Sequence, residues 1–246
     1  MSDFARYSRQ VVLREVGVNG QQLLRDSTAL VFGLGGLGSI AAAYLAGAGL
    51  GRLLLSDRDR VERSNLQRQV LYRQTDVGRA KTEAAAAQLC ALNPDVEIET
   101  FDADAGVEAI RAADIVLDCT DNFPARYTIN AACVAARKPL VSGAAIRFEG
   151  QLAVFDTAGG GPCYRCLYAD DGEAAETCEE AGILGPVVGT VGALQALVAL
   201  KWLVGLREDA GRLHSWDARR LQWRTHTISA DPDCPVCAGK NLGIHR

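Results

Sequence analysis

The 246-residue sequence has no basic excess, no internal repeat, no low-complexity tract and only three histidines. Its formal net charge of -4 argues against nucleic acid as the main partner, because neutralising phosphates needs a basic face. Long apolar runs are scarce as well. The most apolar stretch, GTVGALQALVALKWLVGL, contains Gln195 and Lys201 and stops at charged REDAG, so it reads as a buried core helix and no membrane partner is expected. The opening MSDFARYSRQ is charged and polar, unlike a secretory leader, and a cytoplasmic location is expected. His214, His226 and His245 are late and isolated, which suits surface or core positions better than acid–base work in hydride transfer.

What is present is 48% hydrophobic residues, enough for a full core, and eight cysteines. In a reducing compartment paired C-x-x-C motifs bind metal more often than they form disulfides.

Residues 4–25 show apolar positions at helical spacing and predict a short helical lead-in. From there to residue 150, strand-like segments (STALVF, GRLLLSD, VEIETFD, IVLDCT, LVSGAAI) alternate with helical ones, which predicts right-handed crossovers and a parallel sheet. Beyond it GQLAVFD, LHSWD and LQWRTHTI predict antiparallel strands. The expected fold is α/β, a Rossmann-like, mostly parallel sheet with helices on both faces, plus C-terminal antiparallel strands.

VFGLGGLG places Gly33, Gly35 and Gly38 at G-x-G-x-x-G spacing between a strand and a helix. Such a turn brings backbone close to phosphates at a helix N-terminus. Asp57 follows at a strand end, where a carboxylate can accept from ribose hydroxyls. Alone, this pattern places a nicotinamide dinucleotide first. Arg68 and Lys81 near the same sheet edge, with Asp121 just past another strand, shift the balance. Cations around a triphosphate and a carboxylate for Mg²⁺ are what nucleotidyl transfer needs.

These residues resemble the ThiF/MoeB/HesA family, relatives of the ubiquitin-activating enzymes. The likeness runs through RYSRQ, GLGGLGS, LLLSDRD, SNLQRQ, GRAK, LNP, VLDCTDN, SGAAIRFEGQL, CYRC, GPVVGTVGALQALVALKWL and CPVC, in family order. The resemblance implies ATP-dependent adenylylation of the C-terminal glycine of a small ubiquitin-like sulfur carrier with a diglycine end. It implies that Gly35 and Gly36 contact the nucleotide, that Asp57 binds ribose, and that Asn65, Arg68 and Lys81 face the phosphates. Asp121 would hold Mg²⁺, with Asn122 and Asp59 also at the ATP site, and Arg9 would reach a neighbouring subunit's site in a homodimer. The regions become a lead-in (1–25), a nucleotide-binding part (26–150) and a carrier-binding and zinc part (151–246) of one compact domain. A separate desulfurase or rhodanese would supply sulfur. The thiamin (thiazole) carrier is favoured; the molybdopterin-synthase small subunit or another carrier is the alternative. A nicotinamide-dependent oxidoreductase, or a relative that adenylylates a peptide or a tRNA base, stands as a further alternative.

Cys163, Cys166, Cys234 and Cys237 form two C-x-x-C pairs, the arrangement of a closed structural Zn²⁺ site, which the resemblance supports. A redox pair or unligated thiols are the other readings. Cys90, Cys119 and Cys133 lie in apolar patterns and are expected to be buried. Cys178 sits in the acidic run DDGEAAETCEEAG. By resemblance it is a loop cysteine able to form a covalent sulfur link to the carrier. Its acidic neighbours disfavour the thiolate, and a bystander role stands beside that reading.

Overall fold

A computed structural model describes residues 5–168 and 181–238. Cys178, its acidic surroundings and His245 lie outside the described residues.

Among the described residues eight strands form one sheet: β1 (Thr28–Phe32), β2 (Arg52–Ser56), β3 (Glu97–Phe101), β4 (Ile115–Asp118), β5 (Leu140–Ile146), β6 (Glu149–Phe155), β7 (Arg212–Asp217) and β8 (Gln222–Thr227). Their order is β3-β2-β1-β4-β5-β6-β7-β8. The first five are parallel and the last three antiparallel, as expected from the sequence. The expected boundary at residue 150 falls inside β6, so one sheet runs through both regions.

The α-helices among the described residues are α1 (Ser8–Val11), α2 (Gly17–Asp26), α3 (Gly38–Gly47), α4 (Lys81–Leu92), α5 (Ala103–Ala109), α6 (Phe123–Ala136), α7 (Tyr164–Leu167) and α8 (Gly185–Leu203). Strand parity divides the core between two faces. Ala29, Val31, Leu53, Leu55, Ile115 and Leu117 join one cluster with residues of α3, α4 and α8. Leu30, Phe32, Leu54 and Val116 join another with Ile129 and Cys133 of α6 and Tyr164 of α7. A strand covered on both faces needs apolar residues at every position, which is why these segments read as unbroken runs.

By length and composition α8 could cross a membrane, but half of its most apolar window is buried inside the molecule, where it packs on α3, β5 and β6. Cys119 and Cys133 are buried, and burial pushes both thiols up. Cys90 is exposed, contrary to expectation. Its neighbour Leu89 takes the inward position on α4, and one residue further is about 100° round the helix.

The parallel register sets the site. Phe32 pairs with Ser56 and with Asp118, so β1, β2 and β4 end at one level and their following turns converge. The chain turns to β2 on one side of β1 and returns as β4 on the other, and open parallel sheets bind ligands at such a reversal of strand order.

Candidate nucleotide cleft and cysteine cluster

A cleft of about 700 Å³ opens above these strand ends. Gly33, Gly35, Gly36, Asp57, Asp59, Asn65, Arg68, Lys81, Asp121 and Asn122 all line it, although they come from turns up to 89 positions apart. Gly38 does not line it. A Cβ there would fall 1.8 Å from the Gly33 carbonyl oxygen, so this glycine lets the helix start against the strand. Gly33 has φ +82°, the left-handed region. Gly36 serves both sides, because a Cβ would come within 2.6 Å of Val188 on α8. Gly35 meets only Gln69 Nε2, at 3.7 Å, and presents bare backbone to the cleft. Arg9 is exposed on α1 and does not line this cleft.

Asp57 is tied into the turn it faces. Its Oδ2 accepts from Leu34 N at 2.6 Å and its Oδ1 from Asp59 N at 2.7 Å. A carboxylate offers about four acceptor positions, so two bonds leave capacity for ribose hydroxyls. Asn65 ends a 3-10 turn, Arg63–Asn65, where its Oδ1 accepts from Glu62 N at 3.0 Å. That turns its amide N–H groups to other duty. Arg68 is half-buried, its Nη1 donating to Ser64 O at 3.0 Å. Lys81 is buried, and its Nζ donates to Asp59 Oδ2 at 2.9 Å. Residues 59–61 and 78–81 exchange backbone hydrogen bonds, which fixes Lys81 above Asp59. Asp121 is exposed, with Oδ1 accepting from Asn122 Nδ2 at 3.3 Å. Asn122 also caps α6, its side chain accepting from Ala125 N at 3.0 Å.

Sequence reasoning missed Tyr72 and Gln69. The buried Tyr72 hydroxyl donates to Leu34 O at 2.8 Å and anchors the glycine turn; burial raises its pKa. Gln69 is buried, lines the cleft, and its Oε1 has no partner among the described residues. Both lie in SNLQRQVLYRQ, where a polar residue at helical-turn spacing from Asn65 was the available signal.

At the other end of α6, Cys163, Cys166, Cys234 and Cys237 bring four sulfurs within 4.8 Å of one another. Cys163 and Cys234 are 3.7 Å apart, and Cys166 and Cys237 3.4 Å. Tetrahedral zinc with Zn–S near 2.3 Å requires sulfurs about 3.8 Å apart, and these two spacings lie near that value. Amide donors point at the sulfurs: Asn130 Nδ2 at Cys163 (3.6 Å), and the backbone N–H groups of Cys163 and Asp231 at Cys166. Burial pushes the Cys163 thiol up; at Cys234 burial acts the same way, but donors from Cys237 and Val236 outweigh it and hold the thiol down, at about 7.

The family model described as ThiF family matches residues 7–236. The sulfur carrier protein ThiS adenylyltransferase of Escherichia coli K12 is 47% identical over 243 residues, 97% of each chain. The molybdopterin-synthase adenylyltransferase of the same organism is 48% identical over 240 residues, 96% of each. A crystal structure of E. coli MccB with ATP superposes with a TM-score of 0.82 at 24% identity, covering 94% of this chain and 74% of that one, a likeness of fold.

Proposed function

The chain belongs to the ThiF family, and from that premise we propose that it adenylylates the C-terminal glycine of a ubiquitin-like sulfur carrier with ATP. The observation that best supports this reading is the gathering of Arg68, Lys81, Asn65 and Asp121 in the cleft that also holds Asp57 and the glycine turn.

A carboxylate is a poor electrophile, and activation replaces its oxide leaving group. A carboxylate oxygen of the carrier attacks the α-phosphorus of ATP and forms a P–O bond. The bond from that phosphorus to pyrophosphate breaks, and pyrophosphate leaves with the electron pair. Two anions must meet, so positive charge and positioning supply most of the catalysis. Arg68 and Lys81 draw the phosphates, Asp57 holds the ribose, and the Gly35–Gly36 backbone lets the phosphate chain approach. Magnesium neutralises phosphate charge when bound, and Asp121, a hard oxygen donor facing the cleft, is the residue that would hold it.

Zinc in the cysteine cluster is structural in this reading, since four thiolates fill a tetrahedral shell and leave no position for water. The chain acts as a cytoplasmic homodimer, with Arg9 of each protomer serving the other's cleft, and takes sulfur from a desulfurase or rhodanese. Carrier binding falls to the region from 151 onward. The thiamin carrier is the first choice of substrate. The molybdopterin carrier is the second reading, favoured by a relative at 48% identity against 47% for the thiamin one.

The test is carrier-dependent ATP–pyrophosphate exchange with carriers of both kinds. Exchange with one of them, abolished in Asp121→Ala that still folds, is the expected result. No exchange with either, together with tight nicotinamide nucleotide binding, overturns the proposal.

A further inference from the structure

The segment carrying Asp121 leaves β4 without regular secondary structure, so its backbone groups need partners from elsewhere. Two side chains that do not line the cleft, one buried and one half-buried, supply them from opposite faces of the sheet. Gln195, fully buried on α8, donates through Nε2 to Asp118 O at 2.8 Å and Val141 O at 3.3 Å, while its Oε1 accepts from Cys119 Sγ at 3.3 Å. Arg126, on α6, donates through Nη2 to Thr120 O at 2.7 Å and Gly143 O at 3.4 Å, and through Nη1 to the Tyr164 hydroxyl at 3.4 Å. Burial works against the guanidinium charge, but nearby Asp118 outweighs it and keeps the group cationic. Asp118 is itself fully buried and takes Thr120 N, Thr120 Oγ1 and Ser142 Oγ. The two clamps meet at Gly143: a Cβ there would lie 2.4 Å from Gln195, and its carbonyl faces Arg126.

Withdrawing a guanidinium and an amide from water is costly unless their donors are used. Here the terminal donors fall on carbonyls that include those of residues 118 and 120, while Arg126 Nε is buried without a partner among the described residues. We propose that Arg126 and Gln195 are positioning residues that fix Asp121 for the reaction by gripping its loop from both sides of the sheet. The proposal rests on the reading of Asp121 as the metal-holding carboxylate of adenylylation.

The experiment compares Arg126→Lys and Gln195→Met, alone and combined with Asp121→Asn. Lysine keeps the charge but cannot reach two carbonyls and a hydroxyl with a planar fork. Each single variant is expected to lower kcat for carrier-dependent exchange about 10²-fold, the cost of a misplacement near 1 Å, while KM for ATP stays close to wild type. In the Asp121→Asn background neither adds a further loss, because both act through that carboxylate. Losses that multiply overturn the proposal. Independently of turnover, hydrogen exchange at amides 119–122 speeds up in both variants while β1 and β2 keep their protection; unchanged exchange there also overturns it. Absence of carrier-dependent exchange in the wild type would instead sink the functional reading, and the hydrogen-exchange arm would still decide the clamp.

Discussion

Gly35 and Gly38 belong to one motif yet are glycine for different reasons. Gly38 is forced by the chain itself, since its Cβ site is taken by the Gly33 carbonyl; Gly35 has only the far end of Gln69 nearby. Gly38→Ala should therefore destabilise by about 1–3 kcal/mol, the usual cost of overpacking, with a lowered thermal midpoint. Gly35→Ala should leave the midpoint unchanged and raise KM for ATP about tenfold, because its methyl occupies the path by which the phosphate chain nears the backbone. Equal stability loss in the two variants would contradict this division. The motif spacing was plain in the sequence, but not which glycine answers to ligand and which to packing. Likewise Asp57 and Asp121 could be read from their places past strand ends, and Lys81 from its nearness to the same sheet edge. Tyr72, Arg126 and Gln195 could not, because each has a partner that comes near only when segments 17 to 77 positions apart meet.

Among elements, β1, β2 and β4 were legible because burial on both faces writes an unbroken apolar run. The antiparallel hairpin was legible in LHSWD and LQWRTHTI, and in the fold Trp216 lies opposite Trp223 with rings stacked at 5.3 Å. The small-residue helix α4 was read less well, since KTEAAAAQLCAL has too little contrast between its faces to show that Cys90 points outward. The cysteine cluster ties α7 to the segment that follows β8, with only a short helix and turns of its own to hold it. One zinc per chain is expected in natively purified protein. Chelation should lower the thermal midpoint and expose residues 229–238 to protease, and Cys234→Ser should do the same with no added effect of chelator. Protein free of zinc yet equally stable would remove the metal from the account.

For the molecule as a whole, the exposed position of Arg9 bears on how many chains make a working site. If each cleft is completed by the other protomer, Arg9→Ala and Lys81→Ala are inactive separately, and mixing them after dissociation restores about a quarter of wild-type sites. That figure follows because half the dimers are mixed and each mixed dimer has one intact pairing. Sedimentation of a monomer at assay concentration, or no recovery on mixing, would place Arg9 outside the reaction.

Helix α6 has its cap, Asn122, in the nucleotide cleft and, eight positions on, Asn130 against Cys163. At 1.5 Å per residue that separation is about 12 Å, held by a rod rather than by loops. The helix is thus a gauge between two sites that share no ligand. A paramagnetic ion substituted at the sulfurs would lie at a fixed distance from any phosphate bound above Asn122, and would serve as a ruler for watching it arrive.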